Sequence, residues 1–214
     1  MPYHFVGLDL SLTNTGVAVL RGDDLEGHPH LLRNVRSAPE KTAVKDGKSY
    51  AGLLDRRNRL RRIAGRIVAA ALDGYDPEVD DAPVFAIELP LLLAKNGGQG
   101  VLDRAGLFWL VTNALFNHGI VIEISTTTMK KYATGSGGTP KGQDSKAAIL
   151  LAIPRMFPGV FVTDDNTADA LALAAMVARA LGSPREPSPQ RVTPSALNAV
   201  EWPSNTQRKN RNND

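Results

Sequence analysis

Apolar and polar positions divide the chain into short β-branched runs and longer stretches with helical spacing. Residues 3 to 10 and 16 to 21 are apolar runs separated by SLTNTG, a pattern that predicts two strands joined by a tight turn. A third strand is expected around HLLRNVRS, 30 to 37. In AGLLDRRNRLRRIAGRIVAAALDG, Leu53, Leu60, Ile63, Ile67 and Ala70 recur at helical spacing and Gly74 marks the end. APVFAIEL, 82 to 89, is a short apolar strand that closes on a carboxylate. Residues 101 to 117 predict a second helix, and GIVIEI, 119 to 124, another strand. A polar, glycine-rich loop, ATGSGGTPKGQ, then separates this strand from a helix over 144 to 156, and NTADALALAAMVARAL forms the last helix. Three strands, helix, strand, helix, strand and helices make a mixed α/β sheet packed between helices.

The pattern changes after Gly182. Five prolines fall in 183 to 214, and the closing NTQRKNRNND has no apolar residue. The expected organisation is one domain over 1 to 182 and a Pro-rich, basic, mobile tail over 183 to 214, with ALNAVEW docking transiently.

Composition narrows the chemistry. With 214 residues and 43% hydrophobic content the chain can bury an ordinary globular core. It has no cysteine, which excludes disulfides, thiolate metal sites and cysteine nucleophiles, and is compatible with a reducing cytoplasm. A metal would sit on oxygen or on the four histidines, which favours hard cations. The start MPYHFVGLDL lacks the features of a signal peptide, and GLFWLVTNALFNHGIVIEI is broken by Asn113, Asn117, His118 and Glu123. The expectation is a protein free of the membrane and cytoplasmic, in the bacterial host if the chain is phage-encoded. A net charge of +3 says little about nucleic acid, so local clusters matter more.

The acids stand where burial makes charge costly. Asp9 ends the first strand and is followed by hydroxyls and a glycine; Glu88 has the same placement after VFAI. In TDDNTADALALAAM, Asp165 and Asn166 lie four and three positions before Asp169, on one face of a helix start. The bland alternative is helix capping, since Asp164, Asp165, Asn166 and Thr167 are all good cap residues. Asp169, however, lies inside a core-forming helix with no basic residue within a turn. Several carboxylates converging on one sheet end need a countercharge, and a divalent metal shared by Asp9, Glu88 and Asp169 supplies it. Two ions roughly 4 Å apart suit in-line attack of water on a phosphodiester.

Together, GLDLSLTNTG, AIELPLLLAKN, KKYATGSGGTPKGQDSK and NTADALALA resemble, in order over residues 4 to 182, the RuvC family of Holliday-junction resolvases within the ribonuclease H-like superfamily. The resemblance implies a mixed five-stranded sheet, its first three strands antiparallel, flanked by helices. It also implies a homodimeric, Mg2+-dependent endonuclease, with Mn2+ able to substitute, that nicks four-way DNA junctions symmetrically using two ions per active site and no nucleotide cofactor. Carried over by motif, Asp9, Glu88 and Asp169 would be catalytic metal ligands. Family members place a fourth acid three residues before the last Asp, where this chain has Asn166; Asp165 is the replacement on the same helical face. Asp164 would point about 140° away. Some members also carry an aromatic shortly after the Glu, where it stacks on junction bases; Leu91 and Leu92 stand there instead.

Lys130, Lys131, Lys141 and Lys146 surround the glycine-rich loop, as expected for contacts to DNA phosphates; Lys130, Lys131 and Lys141 match the family's loop lysines, the alternative being ordinary solvated side chains, and Lys141 is also a candidate for stabilising charge on the reacting phosphorus. Arg104, on the helix after Glu88, is within reach of phosphate or of a dimer partner. Arg56, Arg57, Arg59, Arg61, Arg62 and Arg66 crowd the first helix, read either as a solvated face or as a nucleic-acid contact. The histidines have no spacing that reaches the acids, and Phe108 and Trp109 read as core or dimer interface. Three alternatives stay open: an actin-like or sugar-kinase-like phosphate-binding hairpin, a non-catalytic junction-binding scaffold, and a related nuclease acting on flaps, forks or RNA-DNA hybrids.

Overall fold

The computed structural model describes residues 3–22, 28–90, 99–135, 145–162, 164–184 and 194–203, with the backbone alone described for Gln99, Ser145 and Lys146. A five-stranded sheet runs in the order β3 (Leu31–Arg36), β2 (Asn14–Arg21), β1 (His4–Asp9), β6 (Val84–Glu88), β7 (Ile120–Ile124). The first three strands are antiparallel, and β1, β6 and β7 are parallel. This is the sheet expected of a ribonuclease H-like fold.

Two-residue alternation sends each strand's side chains to two separate cores. Val6, Leu8, Phe85 and Ile87 pack with Ile63, Ile67, Leu107 and Val111 of α1 (Leu53–Ala71) and α2 (Gln99–Leu115). Phe5, Val84, Ala86, Ile122 and Ile124 face the other side, against α3 (Thr126–Thr134), α4 (Ser145–Met156) and α5 (Asp165–Ala180). The fully buried α5 residues run from Ala170 to Ala178 without a break. Small alanines let this helix sit close to the sheet, where larger residues would hold it away.

Two elements differ from the sequence reading. Residues 37 to 52 hold a second, two-stranded sheet of β4 (Ala43–Lys45) and β5 (Lys48–Tyr50). Asp46 and Gly47 close it with φ of 50° and 70°, the positive values that two-residue hairpin turns require. The stretch between β7 and the glycine-rich loop is helical, as α3, capped by the Ser125 side chain, which accepts from the Thr128 N–H. Beyond Gly182, the short α6 (Pro194–Leu197) buries Ala196, while Leu197, Val200 and Trp202 pack on the core and the Trp202 indole donates to the Leu197 carbonyl at 2.7 Å. No helix among the described residues is long and apolar enough to cross a membrane.

Candidate metal centre

β1 and β6 are registered so that Leu8 pairs with Ile87. One step further along the ladder, Asp9 stands beside Glu88, both on the α5 face and both at the carboxyl ends of parallel strands. The third acid depends on how close α5 comes. A Cβ on Gly7 would lie 1.9 Å from the Ala170 carbonyl oxygen, and one on Gly16 would lie 2.0 Å from that of Asn166. Only glycine fits beneath the helix at these two points. Its first turns therefore rest directly on β1 and β2, and Asp169 reaches the strand ends. Asp9, Glu88 and Asp169, each half-buried, present carboxylate oxygens within 4.8 Å of one another, the one such group of three among the described residues.

Electrostatics reflect that crowding. Burial above all, then a hydrogen bond with Glu88 and the charges of Glu88, Asp169 and Asp165, push the Asp9 carboxyl up to about 9. Without a cation, a proton is retained on Asp9 at neutral pH. Three oxygen donors that repel strongly enough to hold a proton fit a hard divalent cation, whose charge removes the reason for that proton. The Thr126 hydroxyl, at the first position of α3, donates to Glu88 Oε1 and orients it.

Asp165 opens α5 and adds to the field on Asp9, though it stands outside the close group of three. Asp164 serves the fold instead, capping α5 by accepting from the Thr167 N–H at 3.0 Å and accepting the Asn34 side-chain amide at 2.6 Å. The hydroxyls after Asp9 close their own turn. Thr15 Oγ1 accepts from the Ser11 N–H at 3.0 Å and donates to the Ser11 carbonyl at 2.8 Å, and Ser11 Oγ accepts from the Thr13 N–H at 3.3 Å.

Lys130 lies four residues after Thr126 on α3, the same helical face and about 6 Å further along. Lys131 is its half-buried neighbour. Lys146 is in the first turn of α4, its side chain undescribed, and Lys141, Leu91 and Leu92 lie outside the described residues. Arg104 is exposed on α2, its Nε donating to the Gly100 carbonyl at 3.3 Å.

The arginine-rich face of α1 is largely engaged within the protein. Arg56 pairs with Asp103 of α2, Arg62 with Glu40 at 2.5 Å, and Arg66 donates to the Arg36 carbonyl at 2.8 Å. Arg59 bonds Ser37 Oγ and the Leu12 carbonyl, tying the β1–β2 turn to the helix. His4 is buried against the Ala71 carbonyl at 3.1 Å, its pKa lowered chiefly by burial, far from the acids. Phe108 is in the core, but its neighbour Trp109 is 65% exposed. Two contributors were passed over in the sequence: Thr126, inside the STTT capping run, and Asn34, whose partner lies 130 residues away.

The sequence matches no protein-family model and no curated protein. Its fold is nonetheless that of solved structures. A Thermus thermophilus RuvC structure is similar with a TM-score of 0.57 at 16% identity, covering 86% of this chain and 98% of that one. The T. thermophilus RuvC in complex with a Holliday junction substrate gives 0.56 at 21% identity, covering 81% and 90%. The chain has a RuvC-like fold.

Proposed function

We propose that this protein is a structure-selective, metal-dependent endonuclease that resolves four-way DNA junctions, a crossover junction endodeoxyribonuclease. The observation that carries the reading is the convergence of Asp9, Glu88 and Asp169 at the carboxyl end of a RuvC-like sheet, with the Asp9 carboxyl pushed up to about 9. Asp9, Glu88 and Asp169, joined by Asp165, would hold Mg2+, or Mn2+ in its place, as two ions per site. When bound, the ions supply an activated water and stabilise the leaving 3′ oxygen. The residues do the remaining work: Asp9 gives up its proton as the cation binds, Thr126 fixes the Glu88 carboxylate, and Lys130, with Lys131, Lys141, Lys146 and Arg104, attracts and positions phosphates.

Symmetric nicking needs two active sites, and α2 offers a face for pairing. Leu102, Trp109 and Phe116 recur every seven residues along it and its C-terminal extension, all exposed, with Leu110 beside them. A large apolar stripe left in water favours burial against a second copy. The functional test is cleavage of a four-stranded junction with each strand labelled in turn. Cuts at symmetry-related positions in two strands support the reading; cuts confined to flaps, forks or RNA-DNA hybrids would move the substrate to those classes.

A further inference from the structure

The β3 edge of the sheet carries a second feature on the acid side of the molecule. Leu32, Asn34 and Arg36 alternate with Arg33 and Val35, and Val35 belongs to the α1 core, so the first three face the α5 side. There a cavity of about 420 Å³ is lined by Leu32, Asn34, Arg36, Phe161 and Thr167, and, because β3 is the edge strand, also by Arg33 from the strand's other face. Arg33 and Arg36 are both exposed, and no described residue accepts a hydrogen bond from either guanidinium. Phe161 is 86% exposed, more than any other large hydrophobic side chain among the described residues. The nearby Asp164 carboxylate is already taken up by the Thr167 N–H and the Asn34 amide.

Register fixes where this groove lies relative to the acids. Asp9 pairs with Gly16, and Gly16 pairs with Asn34, so the groove starts two strand spacings, roughly 10 Å, from Asp9. That equals about three base-pair steps of rise along a duplex axis. Arginine on an edge strand is also a common guard against edge-to-edge pairing. That role gives no reason for a nearly bare phenylalanine beside it. An exposed ring with Arg36 on the same face and Arg33 on the other face of the same edge strand, neither guanidinium paired among the described residues, is a combination that suits a single strand, with charge on the backbone and the ring under a base.

We propose that this groove holds the DNA strand flanking the cleaved phosphate, Arg33 and Arg36 contacting its phosphates and Phe161 stacking on an unpaired base near the branch. The proposal rests on the endonuclease reading for the identity of the ligand, but it concerns residues which that reading leaves unused. It also gives the chain an aromatic contact in the connection between α4 and α5.

The test is equilibrium binding of a labelled four-way junction and of a labelled 12-nucleotide single strand, in Mg2+ over a range of salt, in an Asp9→Asn background that prevents cleavage. Phe161→Ala should weaken junction binding by about 5- to 150-fold, the range for loss of one base–aromatic stack, and Phe161→Tyr should restore it. Arg33→Ala with Arg36→Ala should lower the slope of log affinity against log salt by about two. All of these side chains are exposed, so thermal unfolding should stay at the parental temperature. Parental affinity and salt slope in both variants would overturn the groove while leaving the nuclease reading intact, provided the wild type cuts the junction. No DNA binding by the Asp9→Asn protein would also overturn it, and the nuclease reading would then be judged separately on wild-type cleavage.

Discussion

Gly16 lies directly beneath the Asn166 carbonyl, so close that a Cβ there would stand 2.0 Å from the oxygen. Asn166 sits between Asp165 and Asp169 in sequence, and Gly16 pairs across the sheet with Asp9. One missing methyl group therefore sets the distance between the acids on the helix and the acids on the strands. Gly16→Ala should cost about 1–3 kcal/mol of stability through overpacking and should raise the Mg2+ concentration needed for cleavage. Thermal unfolding and a metal titration of activity measure the two effects; an unchanged metal requirement would mean that helix position does not control the site.

The raised Asp9 pKa makes the metal-free protein pH-sensitive in a definite direction. Its ordinary value is 3.8 and its folded value about 9, so between these the folded state holds a proton that the unfolded state has lost. Stability from this group is thus present below about pH 4 and is lost as pH rises towards 9. Without metal, the melting temperature should fall between pH 5 and pH 8 more steeply in the wild type than in Asp9→Asn. Asp9→Asn should itself be more stable at pH 8, by on the order of 1 kcal/mol for each pKa unit of perturbation relieved. Equal pH slopes for the two proteins would contradict the crowding described.

The same proton opposes the cation. Below pH 9 metal binding displaces it, so Mg2+ or Mn2+ affinity should rise towards tenfold per pH unit, with about one proton released per site. Calorimetry in buffers of different ionisation enthalpy measures that proton directly.

Thr126 holds the Glu88 carboxylate from outside the group of three acids. Thr126→Val should reduce metal affinity or activity by about 10- to 100-fold, and Thr126→Ser should recover most of it. A Thr126→Val protein as active as wild type would show that Glu88 needs no orienting partner.

Three substitutions grade the acids on α5. Asp169→Asn should abolish cleavage, Asp165→Asn should reduce it while leaving residual activity, and Asn166→Ala should change it least. Small and equal effects from Asp165→Asn and Asn166→Ala would remove Asp165 from the metal set.

The strand acids were legible because each closes a continuous apolar run, a place where charge is costly to bury; that Asp9 and Glu88 share one face, following Gly7 and Ala86, came from the register of the two strands. Asp169 was legible as an acid inside a core-forming, alanine-rich helix with no basic residue within a turn in the sequence. The α1 arginines were ambiguous because their acceptors, Asp103, Glu40, Ser37 and the Leu12 and Arg36 carbonyls, lie 22 to 47 residues away, and pairing at that range follows from the fold. The β4–β5 hairpin is a different case: the Asp46-Gly47 signal is in the sequence, between strands too short to show a hydrophobic alternation. The tight seating of α5 on Gly7 and Gly16 was illegible, since a glycine's neighbour across a sheet leaves no mark on local pattern.

The measurement that tests the central claim most directly follows a labelled synthetic four-way junction with wild type and Asp9→Asn, in Mg2+, against a matched linear duplex, a flap and an RNA-DNA hybrid, scoring binding and cleavage in the same samples. Paired nicks on the junction by wild type, with the variant binding but not cutting, is the predicted result. A junction bound by wild type yet left uncut in both Mg2+ and Mn2+ would contradict catalysis at the Asp9, Glu88 and Asp169 cluster and leave a junction-binding scaffold in its place.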